Sequence, residues 1–199
     1  MKLKSTTWKG RNRTRLFELR DAALSLGFRH PTIADIGAGG ITFFLSGLHP
    51  EGPKEEMVRS QKVQRFLIRF ADDIIRKFGL YGSLTVHEIR EIKEALACLS
   101  PSEIVVVDKD PRLLRAIRDV GITQRLRLDI CVSRLPEPKD IVICYNVIQV
   151  TEDPNRALEN LLDSVADGGL LSLETNGSSI EVSDRRYKRL RPCLYRKIS

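Results

Sequence analysis

Three stretches of this sequence place glycines and carboxylates where a polar ligand can be gripped. Asp35-Ile36-Gly37-Ala38-Gly39-Gly40 closes the apolar run Thr32–Ile36 with a glycine-rich turn. Glycine takes positive φ and lets a ligand approach the backbone without meeting a Cβ. Asp108, followed by Lys109, ends the β-branched run Ile104-Val105-Val106-Val107. A carboxylate there can accept hydrogen bonds from both hydroxyls of a ribose. Asp129, followed by Ile130, ends the run that begins at Arg125, and its carboxylate suits the exocyclic amine of an adenine. Each feature also has a purely structural reading. Gly37 and Gly39 can serve a tight strand-to-helix turn, Asp35 can cap loop backbone, and Asp108 can cap a helix that opens at Pro111.

For these residues to meet, the elements carrying them must form one sheet. Leu16, Leu19, Ala23 and Leu26 recur at helical spacing over 13–26, with Gly27 as the stop. Strands are expected over 32–36, 104–108, 125–130, 139–145 and 170–174. Helices are expected from Pro111 to Val120 and over 155–165, the latter stopped by Asp167-Gly168-Gly169. Two further helices are expected within 47–100, the second with Thr85 as cap and Glu88 completing a capping box. The end of the chain reads as a final antiparallel strand pair. Strands alternating with helices imply a mostly parallel α/β sheet covered on both faces. Ligands then bind beyond the carboxyl ends of the strands, where strand order reverses.

Bulk properties bound the answer. The 199 residues are 42% hydrophobic and 30% charged, the profile of a single globular domain spanning 1–199. No apolar run approaches the roughly 20 residues needed to cross a bilayer, and MKLKSTTWKGRNRTR lacks the apolar core of a secretory signal, so a cytoplasmic location is expected. Cys98, Cys131, Cys144 and Cys193 form no CxxC pair, and His30, His49 and His87 are scattered, so no metal site is expected. The net charge of +7 is unevenly spread: +6 over residues 1–30, +5 over 180–199, and −4 between them. Basic ends of this kind attract polyanions, so contact with nucleic acid is one expectation and simple solubility the other.

Taken in order, these features resemble the class I S-adenosylmethionine-dependent methyltransferases over roughly residues 32–175. ADIGAGG at 34–40 is similar to their glycine-rich motif, Asp108 in IVVVDKDP to their ribose contact, and Asp129-Ile130 in LRLDI to their adenine-flanking motif. DIVICYNVIQVTED at 140–153 resembles their fourth-strand segment, and ALENLLDSVADGGLLSLE at 157–174 their last helix, turn and fifth strand. The resemblance implies a doubly wound, Rossmann-like, mostly parallel seven-stranded sheet and S-adenosylmethionine as cofactor. It also implies cofactor contacts at Asp35, Gly37, Ala38, Gly39, Asp108, Lys109, Asp129, Ile130 and Asn146, the last beside the amino-acid part. Tyr145, Asn146, Gln149 and Glu174 are candidates for acceptor contacts, and no residue is assigned as catalytic base.

Departures from the pattern bear on the acceptor. Ile41 stands where a third glycine is usual, and Asp35 and Asp108 lie 73 residues apart where a plain βαβ unit needs about 30. The excess, about 47–100, is expected to be a helical cap over the acceptor pocket. Cys144-Tyr145-Asn146-Val147 lacks the Asn/Asp-Pro-Pro-aromatic motif of enzymes that methylate exocyclic base nitrogens. Small molecules and RNA therefore stand equal as acceptors, ahead of protein. Two rival readings remain: a catalytically inactive RNA-binding protein of the same fold, and a nicotinamide-dependent oxidoreductase. The second is disfavoured by Thr42 where G-x-G-x-x-G needs a small residue.

Overall fold

β-Branched runs that can be buried on both sides become the inner strands of a seven-stranded sheet. The computed structural model describes residues 8–37, 98–111, 114, 122–175 and 182–198. The expected 47–100 insertion, apart from its last residues, and most of the helix expected from Pro111 lie outside the described residues.

Helix α1 covers Trp8–Ser25 and is followed by strands β1 (Thr32–Ile36), β2 (Glu103–Asp108), β3 (Gln124–Arg127) and β4 (Lys139–Tyr145). A 3-10 turn, Ile148–Val150, leads to α2 (Pro154–Asp163), then β5 (Val165–Glu174), β6 (Tyr187–Arg191) and β7 (Leu194–Lys197). The sheet order is β3-β2-β1-β4-β5-β7-β6, with the first five strands parallel and β7 antiparallel to both neighbours. The expected terminal strand pair is thus present. Strand order reverses between β1 and β4, which makes their carboxyl ends the topological switch point.

The two faces carry separate cores. Leu16, Leu19 and Ala23 of α1 pack on Ile33, Val106, Ile143 and Leu170, while Ala157 and Leu161 of α2 pack on Ala34, Val107, Val142 and Leu171. The alternation along each strand sends neighbouring residues to opposite cores. Helix α1 ends in a Schellman arrangement: Phe28 N–H donates to Ala23 O at 3.0 Å, Gly27 N–H donates to Leu24 O at 3.0 Å, and Gly27 has φ +79. Asp153 caps α2 by accepting from Arg156 N–H at 3.0 Å, and Pro154 fills its first turn.

Two expectations need correction. The 155–165 helix ends at Asp163, and Asp167-Gly168-Gly169 is not its stop but part of β5. Lys139 pairs with Val165 and Ile141 with Leu170, so β5 bulges outward between these pairs. Gly168 supplies φ +77 in the bulge, and a Cβ on Gly169 would lie 2.7 Å from Ala166 O and 2.8 Å from Asp140 O. A bulge needs the same residue type that a helix stop does. Likewise β3 ends at Arg127, short of the expected 130, so Asp129 and Ile130 lie in the turn beyond it.

At the opposite rim, Lys139 is buried and its Nζ contacts Glu103 at 2.7 Å and Glu137 at 3.4 Å. Burial alone would lower the ammonium's pKa, but the Glu103 carboxylate outweighs it and holds the pKa above its ordinary value. A raised pKa means stability fully present below the unfolded value near about 10.4 and lost as pH rises through the folded one. Lys139→Met is expected to cost about 1–2 kcal/mol at neutral pH, between an exposed pair and a buried one. Urea titrations of both proteins should show the gap constant from neutral pH to about pH 10 and closing above it.

Candidate functional site

β1 and β4 diverge at the switch point, and the chain leaving each carries a residue at positive φ: Gly37 at +73 after β1 and Asn146 at +60 after β4. Gly37 N–H continues the ladder to Val107 O at 2.8 Å, and Asn146 N–H donates to Glu174 O at 2.8 Å. Between them opens a cleft of about 240 Å³. Its lining includes Gly37, Asp108, Lys109, Asp129, Ile130 and Asn146, six of the nine residues singled out from the sequence.

Each wall is locally built. Asp108 accepts from Asp110 N–H at 2.8 Å on Oδ1, an Asx turn that fixes the carboxylate at the end of β2. Asp129 accepts from Cys131 N–H at 3.0 Å, and its carbonyl accepts from Val132 and Ser133. Asn160 of α2 donates to Ile130 O at 2.8 Å, so the buried helix face holds this turn against the sheet. Lys109 Nζ lies 3.7 Å from Asp129 Oδ2, a solvent-exposed pair that links the two rims of the cleft weakly.

Asp35 behaves differently. It is buried on β1, opposite Val106 and Ile143, and is not among the lining residues. Strand alternation puts it on the α1 face, and its charge adds to the burial that raises the pKa values of Cys144 and Tyr145. Ala38 and Gly39 lie outside the described residues.

Of the acceptor-contact candidates, two side chains are already engaged. Tyr145 hydroxyl and Ser172 Oγ are 2.7 Å apart, and burial holds the phenol well above its ordinary pKa, so it stays protonated at neutral pH. Glu174 accepts from Arg15 Nε at 3.0 Å, and Arg15 also reaches Glu18 at 2.9 Å. Burial works against that guanidinium's charge, but the Glu18 and Glu174 carboxylates keep its pKa above the usual value. Beside it, burial and the Glu174 carboxylate push the Cys193 thiol up to about 11, which leaves it an unreactive thiol at neutral pH.

Asn146 lines the cleft and Gln149 is bonded to it. Gln149 Nε2 donates to Asn146 Oδ1 at 3.3 Å, while Asn146 Nδ2 and Gln149 Oε1 are buried without a hydrogen-bond partner among the described residues. Buried amides are ordinarily satisfied, so the open Nδ2 of Asn146, which lines the cleft, marks a place for a ligand.

Sequence reasoning passed over the apolar part of the lining, Ile36, Leu128, Val147 and Val150, and Thr151 beside it. The i, i+3 spacing of Val147 and Val150 after a strand was the available signal. Val147 covers Gly37 so closely that a Cβ on Gly37 would lie 2.1 Å from Val147 Cγ2.

A glycine turn, an acidic strand end and a polar strand end meeting at the β1/β4 switch point of a 3-2-1-4-5-7-6 sheet define the class I methyltransferase fold, and this chain has it. Among solved structures, the N-methyltransferase NodS from Bradyrhizobium japonicum WM9 aligns over 99% of this chain and 100% of its own, with TM-score 0.50 and 14% identity. The amino pentose methyltransferase CalS10 from Micromonospora echinaspora, solved with S-adenosylmethionine bound, aligns over 94% of this chain and 64% of its own, with TM-score 0.48 and 12% identity. The plantazolicin methyltransferase BpumL, solved with S-adenosylhomocysteine, aligns over 84% of this chain (TM-score 0.46, 14% identity), which spans about half of it, 48%. No family model and no curated protein matches the sequence.

Among the described residues no helix is long and apolar enough to cross a membrane.

Proposed function

We propose that the chain binds S-adenosylmethionine in the β1/β4 cleft and catalyses transfer of its methyl group. The carrying observation is the meeting of Gly37, Asp108 and Asn146, far apart in sequence, around one cavity at the switch point. The residues present suit the ligand's chemistry. Asp108 offers a fixed carboxylate to the ribose hydroxyls, and Asp129 with Ile130 flanks the adenine. The open Nδ2 of Asn146 is a donor for the amino-acid carboxylate. Gly37, bare of a side chain, lets Val147 close over the end of β1 as part of the cleft wall, and Asp35 is buried behind it. Lys109 completes the grip in this reading, together with Ala38 and Gly39, which lie outside the described residues.

The cofactor supplies a methyl group on a sulfonium sulfur, which leaves as a neutral thioether and needs no acid. What the protein adds is position. Holding two reactants in attack geometry is worth about 7–11 kcal/mol. Ile36, Val147 and the exposed lip residue Val150 present apolar surface that keeps water from the reacting centre. Tyr145 and Cys144, their protons held by burial, are not bases at neutral pH.

Binding is tested by thermal denaturation. S-adenosylmethionine at about a hundred times its dissociation constant should add about 2.7 kcal/mol, a rise of roughly 5–11 °C for a chain of this size. NADH should add nothing. A shift with NADH alone would overturn the assignment, and methyl incorporation from labelled cofactor tests turnover.

A further inference from the structure

We infer that the exposed edge of β6 is a track for single-stranded RNA, leading the strand to the carboxyl rim as the methyl acceptor. The edge itself is independent of the methyl-transfer reading; that the RNA is the acceptor rests on it.

Residues 182–198 contain seven cations and a single acid, Asp184. The cations divide into two groups. Arg186 is stapled to Asp184 at 2.6 Å and Asp163 at 2.9 Å, Lys197 to Asp167 at 3.0 Å, and Arg196 donates to Gly168 O at 3.4 Å. Arg186 is the principal reason that Asp184 is held below the usual carboxylate pKa, so the acid stays ionised and stays committed to its partner. The side chains of Arg185, Lys188, Arg189 and Arg191 are exposed and form no hydrogen bond or ion pair among the described residues, Arg185 acting on Asp184 only through its field. They are unneutralised charge on a well-anchored hairpin, the arrangement that binds phosphates by releasing counterions.

Topology gives this row a direction. β6 is the outermost strand and, being antiparallel to β7, runs parallel to β5. Its end at Arg191 therefore lies at the same rim as the end of β5. The turn that follows is tied there: Leu173 N–H donates to Cys193 O at 2.9 Å, and Glu174 O accepts from Asn146 N–H at 2.8 Å. Lys188, Arg189 and Arg191 thus run along both faces of β6, about 16 Å of strand, towards the rim that carries the cleft, with Arg185 in the turn before it, and β6 is three strand spacings, about 14 Å, from β4. A flexible, extended polyanion can follow an edge of this kind, whose pairing to β7 shifts register between Arg189 and Arg191. A lipid surface calls for apolar side chains beside the cations, whereas the other β6 side chains, Tyr187 and Leu190, pack into the cores.

The test uses the full chain and a fluorescent single-stranded RNA of about 20 nucleotides, titrated between about 50 and 200 mM KCl. Each phosphate contact on a single strand contributes about 0.7 to the slope of log affinity against log salt. Replacing all four with Gln (Arg185→Gln, Lys188→Gln, Arg189→Gln, Arg191→Gln) should reduce the slope by about 3 and weaken binding at least about tenfold at the lowest salt. Thermal stabilisation by S-adenosylmethionine should be unchanged in that variant, since none of the four lines the cleft. Methyl incorporation into the RNA should fall with binding. Equal affinity and slope in the two proteins, or binding to phosphatidylserine vesicles without binding to RNA, overturns the track. RNA binding through these four residues without methyl incorporation overturns the acceptor assignment and keeps the track. Failure of the cofactor to stabilise the wild-type chain instead removes the methyl-transfer reading.

Discussion

Gly37→Ala is expected to destabilise the chain by about 2–5 kcal/mol and to abolish stabilisation by S-adenosylmethionine. Two separate costs add. A side chain at φ +73 occupies the left-handed region, which costs about 1–2 kcal/mol for a residue with a Cβ. The new Cβ also falls 2.1 Å from Val147 Cγ2 and 3.1 Å from Cγ1, and overpacking of this kind costs about 1–3 kcal/mol. The contributions separate in a double variant. Val147→Ala removes both γ carbons and leaves only the Val147 Cβ, at 3.2 Å. Gly37→Ala with Val147→Ala should therefore recover the packing cost and retain the backbone cost, a coupling of about 1–3 kcal/mol in urea denaturation. Additive effects would mean that the two residues do not press on one another. A Gly37→Ala protein that folds and still responds fully to the cofactor would leave Gly37 as a turn residue only.

What was legible in the sequence followed from period and punctuation. Ile104–Val107 and Ile141–Cys144 have no polar interruption, so they read as doubly buried strands and are the central ones. Leu16, Leu19 and Ala23 repeat at helical spacing, and they are the buried face of α1. Asp108 and Asn146 were legible because they follow such runs directly, so the sheet itself delivers them to one rim. The errors have a common cause: glycine and aspartate mark an interruption without stating its kind. Asp167-Gly168-Gly169 signals a break in helix and strand alike, and only its pairing against Lys139 and Ile141 makes it a bulge. Asp129 was read as a strand end, although β3 stops at Arg127 and the aspartate instead folds a turn over its own side chain. Asp35 follows from strand parity. Ile36 and Asp35 point to opposite faces, so the glycine turn reaches the cleft while the aspartate before it is buried beneath α1. Contacts between distant segments left no local trace. Arg15 meeting Glu174, and Val147 covering Gly37, depend on α1 and β4 arriving at one rim, which no window of sequence contains.

Asp108 should carry the largest single share of cofactor affinity, and its two plausible replacements should not be equivalent. Its Oδ1 holds the Asp110 N–H at 2.8 Å, so the side chain both shapes the turn after β2 and lines the cleft. Asp108→Ala removes the ligand contact and the turn together. Hydrogen bonds to a charged group contribute about 1.5–3 kcal/mol each, so losing those to a ribose predicts at least about a tenfold rise in dissociation constant. The turn itself is worth about 1 kcal/mol of folding stability, by analogy with a lost helix cap. Asp108→Asn keeps an oxygen for the Asp110 N–H and gives up the charge. It should fold as well as the wild type and bind with a loss smaller than that of the alanine variant. Titration calorimetry with S-adenosylhomocysteine measures the affinities, and urea denaturation the folding. If alanine and asparagine weaken binding equally while only alanine destabilises the fold, charge at the ribose is the whole contribution and the turn is incidental. If binding follows folding stability in both, Asp108 acts by shaping the loop. Unchanged affinity in both variants removes the carboxylate from the site and, with it, the strongest chemical reason to place an adenosyl group between β1 and β2.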